Sequence, residues 1–185
     1  MPVSKPAAAG SDPAYPEIIA AMHRELGIPA DYGVRFKLDL CEEAAELSSI
    51  GVDVLGREQR LTPAAARAWQ AMRAAAERDG LQLLVVSAFR SVDYQRALIA
   101  RKLDNGRSIA EVLTVNAAPG YSEHHTGRAL DLTAADCPPL EQGFETTAAF
   151  SWLLKHAARH GFRLSYPRGN PHGISYEPWH WAYTG

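Results

Sequence analysis

Apolar positions along the chain repeat with two periods, and the switches between them mark out the elements. After a Pro-, Ala-, Gly- and Ser-rich opening, residues 1–14 read as a loose arm. Ile18, Ile19, Met22 and Leu26 then share one side of a short helix that tolerates Pro16 in its first turn and stops at Gly27. Val34, Phe36, Leu38 and Leu40 alternate with Arg35, Lys37 and Asp39, which predicts a half-buried strand. Thr62 and Pro63 open an Ala-rich helix that carries Trp69 and Met72 and ends at Gly80. The compact run Leu81 to Val86 predicts a strand, and Ser87 to Ser91 leave it towards a helix from about Asp93 to Lys102. Asn105-Gly106 breaks that helix, and Ser108 with Glu111 has capping-box spacing for a further turn or two.

Beyond Asn116 the chain changes character. Pro, Gly, Ser and His predict a loop that enters a short strand over Arg128 to Leu132, followed by an irregular surface insertion over 133–145. Thr146 or Thr147 caps a helix bearing Phe150, Leu153, Leu154 and Ala157, closed by Gly161. Phe162, Leu164 and Tyr166 resume strand alternation, and a turn-rich loop from Pro167 to Gly173 leads to a last strand near Trp179 to Tyr183. Helices and short strands interleave without a regular βαβ rhythm. That predicts an α+β domain, with a small, largely antiparallel sheet flanked by helices.

Composition narrows the class. With 185 residues, 46% hydrophobic and 22% charged, the chain suits one globular domain over residues 15–185, and disordered or fibrous chains look different. A net charge of −2 gives no broad positive field, so no nucleic-acid partner is expected. No apolar run approaches the length of a membrane span or of an export signal's core, so this sequence by itself reads as cytoplasmic. A periplasmic or cell-envelope address follows if an export signal has been removed. Cys41 and Cys137 are too few for a thiolate metal cage and are expected as small buried hydrophobes; their pairing is open.

Three short motifs carry the candidate chemistry. In the first, Ser122 to Asp131, an extended Gly127–Asp131 puts Gly127, Ala129 and Asp131 on one face. Small residues then clear space beside a carboxylate that His124 can reach from the preceding turn, a nitrogen and an oxygen ligand of the kind Zn²⁺ accepts. The alternative is a surface loop with a capping Asp. In the second motif, Tyr176-Glu177-Pro178-Trp179-His180-Trp181, His180 completes a two-His, one-carboxylate set that leaves a coordination position open, and Glu177 is placed as general base. Trp179, Trp181 and Tyr183 fall on the opposite face and suit core packing. In the third, Ser87-Ala88-Phe89-Arg90-Ser91 with Gln95 beyond, Arg90 at a strand exit is placed for an oxyanion or substrate carboxylate, or for a structural ion pair. His23, His156 and His160 fall on helices beside Arg24 or Arg159, and are expected to be solvated or capping; His172 sits in a turn.

Taken together and in this order, the motifs resemble the D-alanyl-D-alanine carboxypeptidase family of zinc peptidases, VanY type, over a core of about residues 62–183. The resemblance implies the zinc-peptidase fold of the D-Ala-D-Ala carboxypeptidase/hedgehog type, with one Zn²⁺ per chain held by His124, Asp131 and His180. It implies Glu177 as catalytic base, Arg90 as oxyanion stabiliser, and Gln95, Ser122 and Tyr166 along the substrate pocket. The substrate it implies is a peptidoglycan stem peptide or precursor, cut at the terminal D-Ala-D-Ala amide. An L,D-carboxypeptidase, a D,D-dipeptidase, an endopeptidase or a non-hydrolytic wall-binding module can share the same centre. His125 stands where relatives often carry an amide residue and is kept out of the metal shell. Residues 1–60 match no motif.

Overall fold

The computed structural model describes residues 14–185, so the expected N-terminal arm lies outside the described residues but for Ala14. Helix α1 (Tyr15–Leu26) has Pro16 in its first turn and ends at Gly27, whose φ of 70° supplies the left-handed cap; it buries Ile19, His23 and Leu26. α3 (Pro63–Arg78) buries Ala65, Ala66, Trp69, Met72 and Ala76 along one stripe. α4 (Val92–Asp104) starts where Ser91 Oγ accepts the Tyr94 amide, and α5 (Ile109–Leu113) carries the Ser108/Glu111 capping box. α6 (Ala148–His156) is capped by Thr147 and buries Ala149, Phe150, Trp152 and Leu153.

Four strands make the central sheet in the order β3 (Leu84–Ser87), β4 (Ala129–Thr133), β6 (His180–Tyr183), β5 (Phe162–Leu164), with every neighbouring pair antiparallel. Leu130 and Leu132 of β4 and Trp181 of β6 join Trp69, Met72, Phe150 and Leu153 in the main core, which lies between this face and α3 and α6. Asp131 and His180 pair across β4 and β6, and Ser87 is opposite Asp131 across β3. Period-two alternation therefore sends the apolar partners into the core and the polar ones to the other face. A second apolar cluster, with Leu26, Tyr32, Ile99, Val112 and Ala118, joins the α1, α4 and α5 side.

Two expectations are corrected. Residues 34–40 form no strand: α2 (Tyr32–Phe36) is a short helix followed by irregular chain, and Val34 is 87% exposed. The i, i+4 pair Tyr32 and Phe36, with ring centroids 5.0 Å apart, satisfies a helical turn, and Lys37 in the left-handed region ends it. His23 is not solvated; its buried Nε2–H donates to the Pro119 carbonyl at 2.8 Å. A hairpin that the residue pattern did not reveal, β1 (Ser48–Val52) with β2 (Glu58–Leu61), forms a separate two-stranded sheet. Cys41 and Cys137 are free and half-buried. Among the described residues no helix is long and apolar enough to cross a membrane.

Candidate metal and catalytic site

The polar face of β4 and β6 and the turn before β4 bring His124, Asp131 and His180 together: one ligand atom from each lies within 4.8 Å of the others, all three side chains buried. His124 rides on a 3₁₀ turn, Glu123–Thr126, which Gly127 closes in the left-handed region with φ 62°. Its Nδ1–H donates to the Ala88 carbonyl at 2.5 Å, and this fixes the tautomer whose Nε2 carries the lone pair. That Nε2 faces Asp131 Oδ2 at 3.2 Å, and as a fully buried atom it has no hydrogen-bond partner. His180 is held the other way round, Nε2–H donating to Glu123 Oε2 at 2.9 Å while Nδ1 lies 3.0 Å from Asp131 Oδ1. Glu123 is itself paired with Arg163 at 2.8 Å. Metal-binding histidines are oriented by such partners on the far ring nitrogen.

Charge in the site points the same way. Burial raises the Asp131 pKa, but His124 and His180 outweigh it and hold the carboxyl well below its ordinary value. Burial, then Arg90, push His124 down to about 4, leaving a neutral imidazole. For His180 burial is opposed by Asp131 and Glu123, which lift it to about 10. Burial would also raise Glu123, yet His180, Ser165 and Arg163 hold it at about 2. The carboxylates of buried Asp131 and half-buried Glu123 thus favour positive charge at this point, which a proton on His180 supplies and which a metal cation held by His124, Asp131 and His180 could supply in its place. Nitrogen and oxygen donors, three in number, suit a zinc ion with a coordination position to spare.

Glu177 and Arg90 approach this group from outside it. Glu177 Oε2 lies 3.9 Å from His180 Nδ1, and burial, opposed by His180, aided by Asp131 and opposed again by Arg90 and Lys102, leaves its pKa raised to about 7. Arg90 Nη2 is 3.9 Å from Asp131 Oδ2, and its buried Nε has no partner. The small, partly open space between these groups, about 20 Å³, takes one water-sized molecule; it is bounded also by Ser122, Tyr166 and the apolar Val115, Ala117 and Ile174. The Tyr166 ring packs against His180 at a tilt of 44°, with centroids 4.9 Å apart. Gln95 is placed behind the wall, its Nε2 donating to the Ala117 carbonyl at 2.8 Å. His125 points away from the ligand atoms, with Nδ1–H donating to Arg90 O at 2.6 Å and Nε2 accepting the Gly120 amide at 3.2 Å. Trp179, Trp181 and Tyr183 pack on the core side of β6.

Residue patterns missed Glu123, which holds His180, and Asn116, which borders the cavity. The acidic residue beside His124 in Ser122-Glu123-His124 was a signal for Glu123, because a ligand imidazole needs a partner on its second nitrogen. Asn116 carries no such local signal.

Residues 58–185 match the profile of VanY: D-alanyl-D-alanine carboxypeptidase. The putative carboxypeptidase YodJ of Bacillus subtilis (strain 168) is 31% identical over 174 residues, covering 91% of this chain; the chain spans 60% of that protein's length. Among solved structures, the LdcB LD-carboxypeptidase superposes with a TM-score of 0.69 at 30% identity, over 77% of this chain and 70% of that one. A VanY D,D-pentapeptidase from a VanB-type resistance cassette, solved in complex with Zn(II), gives 0.58 at 28% identity, over 85% and 83%. By the span of the matched profile and the likeness of these relatives along most of its length, the chain belongs to the VanY family of D-alanyl-D-alanine carboxypeptidases.

Proposed function

We propose that the chain is a zinc-dependent D,D-carboxypeptidase that hydrolyses the terminal D-Ala-D-Ala amide of peptidoglycan stem peptides. The observation that carries this reading is a buried two-His, one-Asp set with an acid, Glu177, beside it but outside it. His124, Asp131 and His180 would hold one Zn²⁺, through Nε2, a carboxylate oxygen and Nδ1. When bound, zinc supplies a Lewis acid that polarises the scissile carbonyl and acidifies water towards a pKa of ~7. Glu177 takes the proton of the attacking water and returns it to the departing amine, a role its burial suits by raising its basicity. Arg90 places guanidinium donors where negative charge grows on the carbonyl oxygen. Val115, Ala117 and Ile174 give the cavity a wall suited to a methyl side chain, and Ser122 and Tyr166 complete the pocket.

Likeness to LdcB favours a second reading, an L,D-carboxypeptidase that acts on the shorter stem. Mass spectrometry of muropeptides with penta- and tetrapeptide stems separates the two: loss of the fifth residue supports the first reading, loss of the fourth the second. Glu177→Gln should lower turnover by about 10²–10⁴-fold and keep its zinc. Chelation should silence the wild-type protein and added Zn²⁺ restore it. Full activity in metal-free protein, or near wild-type rates in the variant, would overturn the mechanism.

A further inference from the structure

The inward face of α4 carries Gln95, Ile99 and Lys102 at helical spacing, and its two polar members reach adjacent residues of one cavity wall. Gln95 holds the Ala117 carbonyl, and Lys102 Nζ donates to Asn116 Oδ1 at 3.0 Å. Asn116 is nearly buried, and its Nδ2 is committed to the Val112 carbonyl at 3.0 Å, so its amide is fixed with the oxygen towards Lys102. Asn116 and Ala117 border the same space as Arg90, Ser122, His124 and Glu177. Lys102 is half-buried, and among the described residues no carboxylate lies within 4.0 Å of its amine. Burial, then Arg107 and Arg90, lower its pKa, while Glu177 raises it. One neutral acceptor leaves two of the ammonium's donors without a protein partner, and a partly desolvated cation in that state favours an anion.

The proposed reaction brings such an anion. An exopeptidase substrate presents a free carboxylate two bonds beyond the scissile nitrogen, and an internal peptide presents none there. Arg90 already faces Asp131 and the position of the reacting carbonyl, so that carboxylate needs a second cation. We propose that Lys102, set by Asn116, receives the terminal carboxylate of the substrate and so restricts this site to chain ends. The assignment rests on the hydrolase reading above and makes Lys102 a specificity-determining residue.

The test is calorimetry on zinc-loaded E177Q, which binds without turnover, using one peptide ending in D-Ala-D-Ala as free acid and as C-terminal amide. The parent should prefer the acid by about tenfold or more, the effect of one charge-assisted hydrogen bond. Adding K102M should erase that preference, and K102R should keep most of it. K155M, at an exposed lysine on α6, should leave it intact. An undiminished preference in K102M, equal binding of acid and amide by the parent, or no binding of either overturns the assignment. Should K102M fail to melt cooperatively, loss of the preference in K102R decides against it. A wild-type protein that turns over no stem peptide, while the Lys102-dependent preference persists, sinks the hydrolase reading alone.

Discussion

His180 meets a carboxylate at each ring nitrogen, and the two do different work. Asp131 shares the candidate ligand cluster, whereas Glu123 accepts the Nε2–H hydrogen bond and leaves Nδ1 as the ring nitrogen that faces Asp131. Glu123 is in turn anchored by Arg163. Glu123→Gln keeps the volume but swaps a charged acceptor for a neutral one, so the ring loses basicity and part of its orientation. Zinc affinity should fall by about 10–100-fold, as measured by competition with a chromophoric chelator, while the thermal melt of the metal-free protein changes less. Unchanged affinity would mean that Glu123 only packs against the ring. At this scale the grouping of His124, Asp131 and His180 with Glu177 beside them was readable because each sits in a short local motif. Lys102 and Asn116 were not, because their meaning depends on where α4 meets the 116–118 loop.

Elements reach the site through hydrogen-bond chains that no residue period encodes. In the turn between β1 and β2, buried Asp53 accepts from the amides of Leu55 and Arg57 at 2.8 and 2.9 Å, from Arg57 Nε at 2.7 Å and from Gln59 Nε2 at 2.9 Å. Gln59 Oε1 then accepts the Ala88 amide at 2.9 Å, and the Ala88 carbonyl is the one that orients His124. The hairpin thus steadies a ligand from a distance. It went unread because its strands are short and mostly exposed, with polar residues interrupting any alternation. The false strand at 34–40 arose conversely, since alternation there was real but Tyr32 and Phe36 had a better use as a helical pair. Burial raises the Asp53 pKa, yet the Arg57 and Leu55 amides and the Arg57 side chain outweigh it and hold the carboxyl below its ordinary value. A depressed folded pKa gives stability that is present above the unfolded value of ~3.9 and lost as pH falls through the folded one. Asp53→Asn should therefore cost about 1–3 kcal/mol at neutral pH by urea unfolding, and the gap to wild type should narrow as pH falls below the unfolded value of ~3.9. A gap that holds constant with pH would remove the charge from the account.

Across the whole molecule, the chain ahead of β1 is laid against the site loop as a strap. The Cys41 amide donates to Gly120 O at 2.7 Å and the Ala44 amide to His125 O at 2.9 Å, while Glu43 accepts the Val92 amide at the start of α4. These residues showed no motif, and their role is legible only in three dimensions: they clamp the segment that presents His124 to the helix that presents Gln95 and Lys102. Gly127 lies against the strap with no room for a side chain. Its φ is +62°, and a Cβ there would stand 2.9 Å from Leu47 Cδ2, 3.1 Å from Ala44 Cβ and 3.2 Å from the Thr62 amide nitrogen. Gly127→Ala should cost about 1–2 kcal/mol from the left-handed backbone alone, with the collision against the strap added to it. Leu47→Ala removes one of the colliding groups, so the double variant should be more stable in urea than the sum of the two single losses predicts. Strict additivity would mean that the strap yields freely and exerts no pressure on the ligand turn. Non-additivity of stability, accompanied by tighter zinc binding in the double variant than in Gly127→Ala, would tie the geometry of the metal group to a segment some 80 residues earlier in the chain.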